Sequence, residues 1–102
     1  MTLDASRSRA TAETRLELAS AASVNPLGTG EGGVVLNSAS GRLYTVNDTA
    51  LAFLRELDGK RSVSEIAERL SEEFAQNHAI ILRDLIPVAN LLIDAAVIRV
   101  LR

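Results

Sequence analysis

Between Arg42 and Leu57 the spacing of apolar residues changes from a strand pattern to a helical pattern. The segment Arg42–Val46 is rich in residues with β propensity, and its side chains fall alternately on two faces. The segment Asp48–Leu57 has apolar residues at helical spacing, and Asn47 before it is a good N-cap. The sequence therefore predicts a strand that runs directly into a helix.

Two further strands are predicted before this one, each bounded by a turn. The first covers Ala21–Leu27, with Pro26 close to its end, where a missing N–H is tolerated. The second is Val34–Asn37, which lies between the turn sequences GTGEGG and SASG. Three short strands joined by tight turns predict an antiparallel meander.

The first predicted helix is followed by a second one with a clear start. Gly59 is a good C′ residue for the first helix, since glycine accepts the left-handed conformation that ends many helices. Ser62 and Glu65 have the spacing of a capping box, which opens a helix that carries Ile66 and Leu70 inward.

A third helix is predicted from about Ala79 to Ala96, with Asn77 as its cap. Pro87 lies inside that range, where it lacks the N–H that would bond to the carbonyl group of the preceding turn. Either the helix kinks at Pro87, or the main helix begins only at Asp84 and Pro87 lies in its first turn. The sequence leaves both alternatives open.

The third helix is apolar on two faces. At 100° per residue one face carries Ile81, Leu85, Val88 and Leu92, and the other carries Leu82, Ile86, Ala89 and Ile93. One face is enough for the domain core, so the second face either packs inside the protein as well or binds a partner.

The order of three strands followed by three helices predicts an α+β domain of winged-helix type. Residues 1–19 are polar and rich in small side chains, and we expect them to form a flexible arm that can be removed without loss of stability. The folded domain is then expected to span residues 20–102.

Composition excludes several functional classes. The chain of 102 residues has no cysteine, so neither a disulfide framework nor a thiolate metal site is available. The net charge of -2 argues against a dominant nucleic-acid-binding surface. The N-terminal region has no secretory signal pattern, and the apolar segments are too interrupted to span a membrane, so a cytoplasmic protein without membrane association is expected.

No residue constellation indicates catalysis, a metal or a cofactor. His78 is the sole histidine and lies in a polar connection, where a solvent-exposed residue is more common than a ligand or a base. Asp58 belongs to a predicted turn and Asp84 to a helix, so we expect structural roles for both carboxylates instead of acid–base chemistry. We therefore expect that the protein is not an enzyme.

The segment YTVNDTALAFLRELDGKRSVSEIAERLSEEF resembles the PqqD family, whose members act as peptide chaperones in PQQ and lasso-peptide biosynthesis. The resemblance rests on the order of its elements: an aromatic-bearing strand ending in Val-Asn, Asp-Gly, Arg-Ser-Val, Glu-Ile, and a closing RDL…LLIDAAVI. It covers about Gly33 to Ile98. Phe53 stands where many members have Trp, Ala50 where many have Gly, and Ala96 where a helix-ending Gly is usual.

The resemblance implies a RiPP recognition element, which binds the leader of a ribosomally made precursor peptide and presents the precursor to a modifying enzyme or a leader peptidase. The leader is expected to add as a strand beside the third predicted strand, in a groove closed by the third helix, so that backbone bonds give affinity and alternate side chains give specificity. On the strand, Tyr44 and Val46 are expected to face the core. The predicted peptide-binding residues are Arg42, Leu43, Tyr44, Thr45, Val46, Leu82, Leu85, Ile86, Ala89 and Ile93.

Two alternatives belong to other functional classes. A winged-helix DNA-binding regulator has the same order of elements, but the second helix presents Glu65, Glu68 and Glu72, and a recognition helix needs cations and amides. A structural dimerisation module would use the second apolar face of the third helix for a homodimer.

Overall fold

The computed structural model describes residues 10–101, which form an α+β domain with two antiparallel sheets and three helices. The predicted fold class is confirmed. The part of the predicted arm before Ala10 lies outside the described residues. In chain order the elements are β1 (Arg15–Leu18), β2 (Ala22–Pro26), β3 (Gly33–Asn37), β4 (Arg42–Val46), α1 (Asp48–Arg55), α2 (Val63–Glu73), α3 (His78–Asp94) and β5 (Ile98–Leu101).

The predicted meander is confirmed. Strands β2, β3 and β4 form an antiparallel sheet in that order, and Val35 in the central strand lies opposite Val24 on one side and Tyr44 on the other. Val35 is fully buried, so this sheet packs one face against the helices.

All three predicted helix starts are confirmed by their caps. The Asn47 side chain accepts a hydrogen bond from the Ala50 N–H at 2.9 Å, and Ser62 forms the expected reciprocal capping box with Glu65. The Asn77 side chain accepts from the Ala79 N–H at 2.8 Å. These starts follow from local chemistry, because a cap satisfies N–H groups that have no partner within the helix.

The first helix ends earlier than predicted. α1 ends at Arg55, so Gly59 is not its C′ residue, although Gly59 does have a positive φ of 74°. The Asp58 carboxylate accepts hydrogen bonds from the N–H groups of Lys60 and Arg61, which holds this segment in a turn. Gly59 donates its N–H to the Leu16 carbonyl at 3.1 Å, so the turn is fixed against β1.

The third helix continues through Pro87. α3 starts at His78, which excludes the alternative of a late start at Asp84. The helix ends at Asp94 with Ala95 as its C-cap, and the next residue, Ala96, is left-handed with a φ of 62°. Val97 N–H donates to the Leu92 carbonyl and Ala96 N–H to the Ile93 carbonyl, which is the Schellman pattern.

The expected arm is wrong from Ala10 onward. Residues Arg15–Leu18 form β1, which pairs antiparallel with β5 at the other end of the chain. Leu16 is 1% exposed and belongs to the core, as does Ala10. The four-residue pattern of β1 is too short to identify a strand by itself, and its partner β5 is distant in sequence. The local sequence pattern therefore predicted neither β1 nor β5.

The core lies between the three helices and the inner face of the meander. Phe53 and Leu54 of α1 are fully buried, together with Ile66 and Leu70 of α2. α3 contributes Ile81, Leu85, Ala89 and Leu92. Among residues 10–101 no helix is long and apolar enough to cross a membrane.

Candidate functional site

Within residues 10–101, β4 pairs with β3 alone, so its outer edge is open. The Leu27 N–H donates to the Gly32 carbonyl, and the Ser38 N–H donates to the Ala21 carbonyl. Because bonded pairs alternate along an antiparallel ladder, the even-numbered residues of β3 bond to β2 and its odd-numbered residues bond to β4.

This alternation fixes which peptide groups of β4 are free. In the register of the two strands, Val35 lies opposite Tyr44 and Gly33 opposite Val46. The peptide groups of Tyr44 and Val46 therefore face β3, and those of Leu43 and Thr45 face the open edge. An open edge with two free N–H and two free C=O groups is a template for another strand.

A groove of about 500 Å³ separates this edge from α3. Its helix wall is apolar, and Leu91, at 63% exposure, is the most exposed part of that wall. The groove is lined by Leu43, Tyr44, Thr45, Val46, Asn47, Ala50, Val88, Leu91 and Leu92. The direct passage from β4 through Asn47 into α1 places Ala50 in the groove, so the strand edge and both helices meet here.

Four of the five predicted strand residues, Leu43, Tyr44, Thr45 and Val46, line the groove. Tyr44 and Val46 pack against the core from the inner face of the sheet, as predicted. Leu43 is 65% exposed on the opposite face, and Thr45 is also exposed. Arg42 is exposed at the start of β4, outside the groove lining.

The helix part of the predicted site is divided between two other places. Leu85 and Ala89 are 1% and 0% exposed, so they belong to the core. Leu82, Ile86 and Ile93 are half-buried on the flank of α3 that turns away from the groove.

The N-terminal segment contacts α3 outside the groove lining, at Asn90. The Ala10 N–H donates to Asn90 Oδ1 at 2.7 Å, and Ala10 itself is buried. Val88 lines the groove although its helical position groups it with Ile81 and Leu85, which are buried, and Leu91 belongs to neither predicted face. A helical-wheel projection of α3 shows several apolar flanks, but it does not show which neighbouring element each flank contacts. The sequence therefore carried no signal for which flank lines the groove.

A second hollow, of about 590 Å³, lies between the β2–β3 loop and the helices. It is larger and more open than the groove, and its lining includes the charged side chains of Asp48, Arg55 and Glu73. The Asp48 carboxylate in its wall already has a hydrogen-bond partner, because it accepts from the Gly32 N–H at 2.7 Å. The residue of edge strand β2 that borders it is Pro26, which has no N–H to donate to an added strand, so we prefer the groove beside β4 as the functional site.

The titratable residues considered in the sequence serve local structure. Hydrogen bonds from the backbone N–H groups of Arg61 and Lys60 lower the pKa of Asp58 to about 2. Asp84 lies on α3 and pairs with Arg83 at 3.6 Å. His78 Nε2 lies 3.1 Å from the Ser64 carbonyl oxygen, which ties the start of α3 to α2. Among residues 10–101 no three His, Asp or Glu side chains are placed to hold a metal ion.

A free strand edge beside an apolar helix is the arrangement of domains that add an extended peptide to a sheet. Residues 32–98 match the model of the PqqD family, described as coenzyme PQQ synthesis protein D. This match covers well over half of the chain, and the chain belongs to the PqqD family. No protein of curated function matches it in sequence.

Two solved structures share the fold. One is the PqqD part of Methylobacterium extorquens PqqCD, a stand-alone RiPP recognition element, at 24% identity and a TM-score of 0.76, covering 90% of this chain and 96% of that chain. The other is lasso peptide synthetase B1 in complex with a leader peptide, at 24% identity and a TM-score of 0.66, covering 86% and 99%. Both matches extend beyond the segment of the family model.

Proposed function

We propose that this protein is a non-catalytic chaperone that binds the leader segment of a ribosomally made precursor peptide along β4. The observation that carries the proposal is the pair of free peptide units at Leu43 and Thr45, which face an apolar groove wall formed by Val88 and Leu91. A leader strand added here forms backbone hydrogen bonds to β4 while alternate side chains enter the groove.

Two further facts support this proposal. The chain belongs to the PqqD family, and the printed descriptions of the two structural relatives name a RiPP recognition element and a complex with a leader peptide. The exposed glutamates of α2, Glu65, Glu68 and Glu72, favour peptide binding over the alternative of a DNA-binding regulator.

The natural partner of the complex is, in this proposal, an enzyme that modifies the precursor or removes its leader. Because the precursor is made on ribosomes, the encounter takes place in the cytoplasm. The anchoring side chains of the leader are expected to be apolar, and burying each one contributes about 1.5–3 kcal/mol, which offsets the cost of ordering a disordered peptide. Arg42 at the end of the edge is available for an acidic side chain of the leader.

Amide hydrogen exchange tests the proposal, because alternate residues of β4 are matched controls for each other. Leu43 and Thr45 face the open edge, whereas Tyr44 and Val46 are bonded to β3. The probe is a peptide selected on the wild-type protein from a displayed library of random 15-residue sequences. In the free protein, the amides of Leu43 and Thr45 are expected to exchange fast, while those of Tyr44 and Val46 are protected by β3. Saturating peptide is expected to slow exchange at Leu43 and Thr45 and to shift the methyl resonances of Leu91.

Two outcomes contradict this proposal. If no peptide is selected, peptide binding is wrong. If selected peptides leave Leu43 and Thr45 unprotected and shift Leu82, Ile86 and Ile93, the peptide binds the other flank of α3. Contact with those three residues stays a prediction that the same spectra test. Leader segments from short reading frames that flank the gene, used in place of the selected peptide, identify the natural ligand.

A further inference from the structure

The outer face of the meander, turned away from the helices, is apolar near the open edge. Val34 and Leu36 of β3 point to this face, because the alternate residue Val35 is in the core. Leu36 lies opposite Leu43, and Val34 lies opposite Thr45. A sheet face in contact with water normally carries polar residues, as Ser23 of β2 does on this same face.

Leu36 and Leu43 form an apolar row that runs outward to the open edge. They are a non-hydrogen-bonded pair, since Leu36 bonds to β2 and Leu43 faces the edge, and side chains of such pairs approach closely. Leu36 is half-buried and Leu43 is 65% exposed, so the row ends in an uncovered side chain.

Strand geometry determines what an added strand presents to this row. Residues that lie directly opposite each other on neighbouring strands point to the same face. A peptide residue opposite Tyr44 or Val46 therefore points into the groove. The peptide residue opposite Leu43 points to the outer face, next to the Leu36–Leu43 row.

We propose that the protein recognises side chains on both faces of the bound peptide strand. Leu43 is the residue that determines specificity on the outer face. This inference rests on the proposed function and deepens it. The ligand is a peptide whose residues opposite Tyr44 and Val46 are apolar and enter the groove, and whose residue opposite Leu43 is also apolar and packs on Leu43. A peptide that alternates apolar and polar residues fills the groove alone. Adjacent apolar residues, here those opposite Leu43 and Tyr44, are the pattern of a strand that is buried on both faces.

Introducing a charge at Leu43 tests this inference, and because the side chain is 65% exposed we expect the variants to fold. Peptides are selected from the same random 15-residue library on the wild-type protein, on Leu43→Lys and on Leu43→Glu, and are aligned by their groove anchors. The wild type is expected to enrich Leu, Ile, Val or Phe at the position opposite Leu43. Leu43→Lys is expected to enrich Asp or Glu there, and Leu43→Glu to enrich Lys or Arg.

Two substitutions on the same face are matched controls. Thr45→Lys is expected to change the preference at the position opposite Thr45, and Ser23→Lys, on the far strand, to change none. With one peptide selected on the wild type, Leu43→Thr is expected to raise Kd about two- to fivefold, in the range of a cross-strand pair. Thr is used because it preserves β propensity.

The outcomes separate this inference from the proposed function. If all three proteins select the same residues at the position opposite Leu43 while the groove anchors persist, peptide binding stands and the role of Leu43 is wrong. If the wild type selects no peptide, both proposals are wrong. Circular dichroism of each variant confirms that it is folded.

Discussion

At the scale of single residues, two alanines hold backbone conformations that suit glycine. Ala75 and Ala96 have φ values of 53° and 62°, and each follows the end of a helix. A left-handed conformation costs a residue with a Cβ about 1–2 kcal/mol. The two helix ends are nevertheless formed, because the next residue in each case donates its N–H to an otherwise unpaired carbonyl: Gln76 to Ser71, and Val97 to Leu92.

Ala96→Gly is expected to raise the free energy of unfolding by about 1 kcal/mol, since glycine adopts this conformation without steric cost. Urea denaturation monitored by circular dichroism measures the change. Ala79→Gly, at an exposed position inside α3, is the matched control and is expected to lower stability. Equal destabilisation by both substitutions would contradict the strain at Ala96.

Asp58 makes stability depend on acid pH. The N–H groups of Arg61 and Lys60 lower its pKa to about 2, and an unfolded aspartate has a pKa of about 3.9. Because the folded pKa is the lower one, the charged carboxylate stabilises the fold fully above about pH 4, and this contribution is lost as pH falls toward 2. A carboxyl-carbon NMR titration is expected to give the low pKa.

The substitution Asp58→Asn separates this contribution from those of other carboxylates. The difference in unfolding free energy between wild type and Asp58→Asn is expected to shrink as pH falls from 4 to 2. A difference that stays constant over that range would show that the charge of Asp58 has no part in the turn.

At the scale of elements, β1 and β5 form a small sheet that joins the two ends of the described chain. Leu16 of β1 is 1% exposed, and its carbonyl accepts a hydrogen bond at 3.1 Å from the N–H of Gly59 in the α1–α2 connection. The Glu17 carboxylate pairs with Arg99 across the two strands. This small sheet ties the two ends of the described chain to the helices.

Leu16→Ala is expected to lower the free energy of unfolding by about 2–5 kcal/mol, because it leaves a cavity in the core. Thermal or urea denaturation measures the loss. Leu91→Ala, which truncates a leucine that is 63% exposed, is the matched control and is expected to have little effect on stability. If Leu16→Ala were as mild as Leu91→Ala, β1 would not be part of the core as the burial indicates.

At the scale of the whole molecule, α3 lies between two different environments. One side of the helix packs in the core, and another side faces the open edge of β4. Leu85 and Leu91 are on the same helix, yet the first is 1% exposed and the second 63%. A charge on the core side opposes folding because a buried unpaired carboxylate is costly. A charge on the groove side leaves the fold intact.

Leu91→Asp is therefore expected to weaken peptide binding by about tenfold or more, the equivalent of losing one apolar anchor, with an unchanged melting temperature. Leu85→Asp is expected to unfold the protein, and Ala89→Asp to do the same. Fluorescence polarisation with a selected peptide measures the first effect and circular dichroism the others. Normal binding by Leu91→Asp would remove α3 from the site.

The sequence alone determined the features that depend on neighbouring residues. The caps at Asn47, Ser62 and Asn77, the turns of the meander, and the two faces of Tyr44 and Leu43 all follow from chemistry within a few residues. The order of elements was enough to identify the PqqD family, whereas peptide binding at the edge of β4 stays a prediction.

Only the tertiary structure decided which flank of α3 meets that edge and whether Arg15–Leu18 is a strand. Leu82, Ile86, Val88 and Leu91 are alike in local pattern, so the choice among them depends on how α3 packs on α2 and α1. β1 is stable through its pairing with β5 and its bonds to the α1–α2 connection. The packing of α3 and the pairing of β1 both depend on contacts between segments that are far apart in the chain. The free energy of such contacts cannot be inferred from the hydrophobic periodicity of either segment alone.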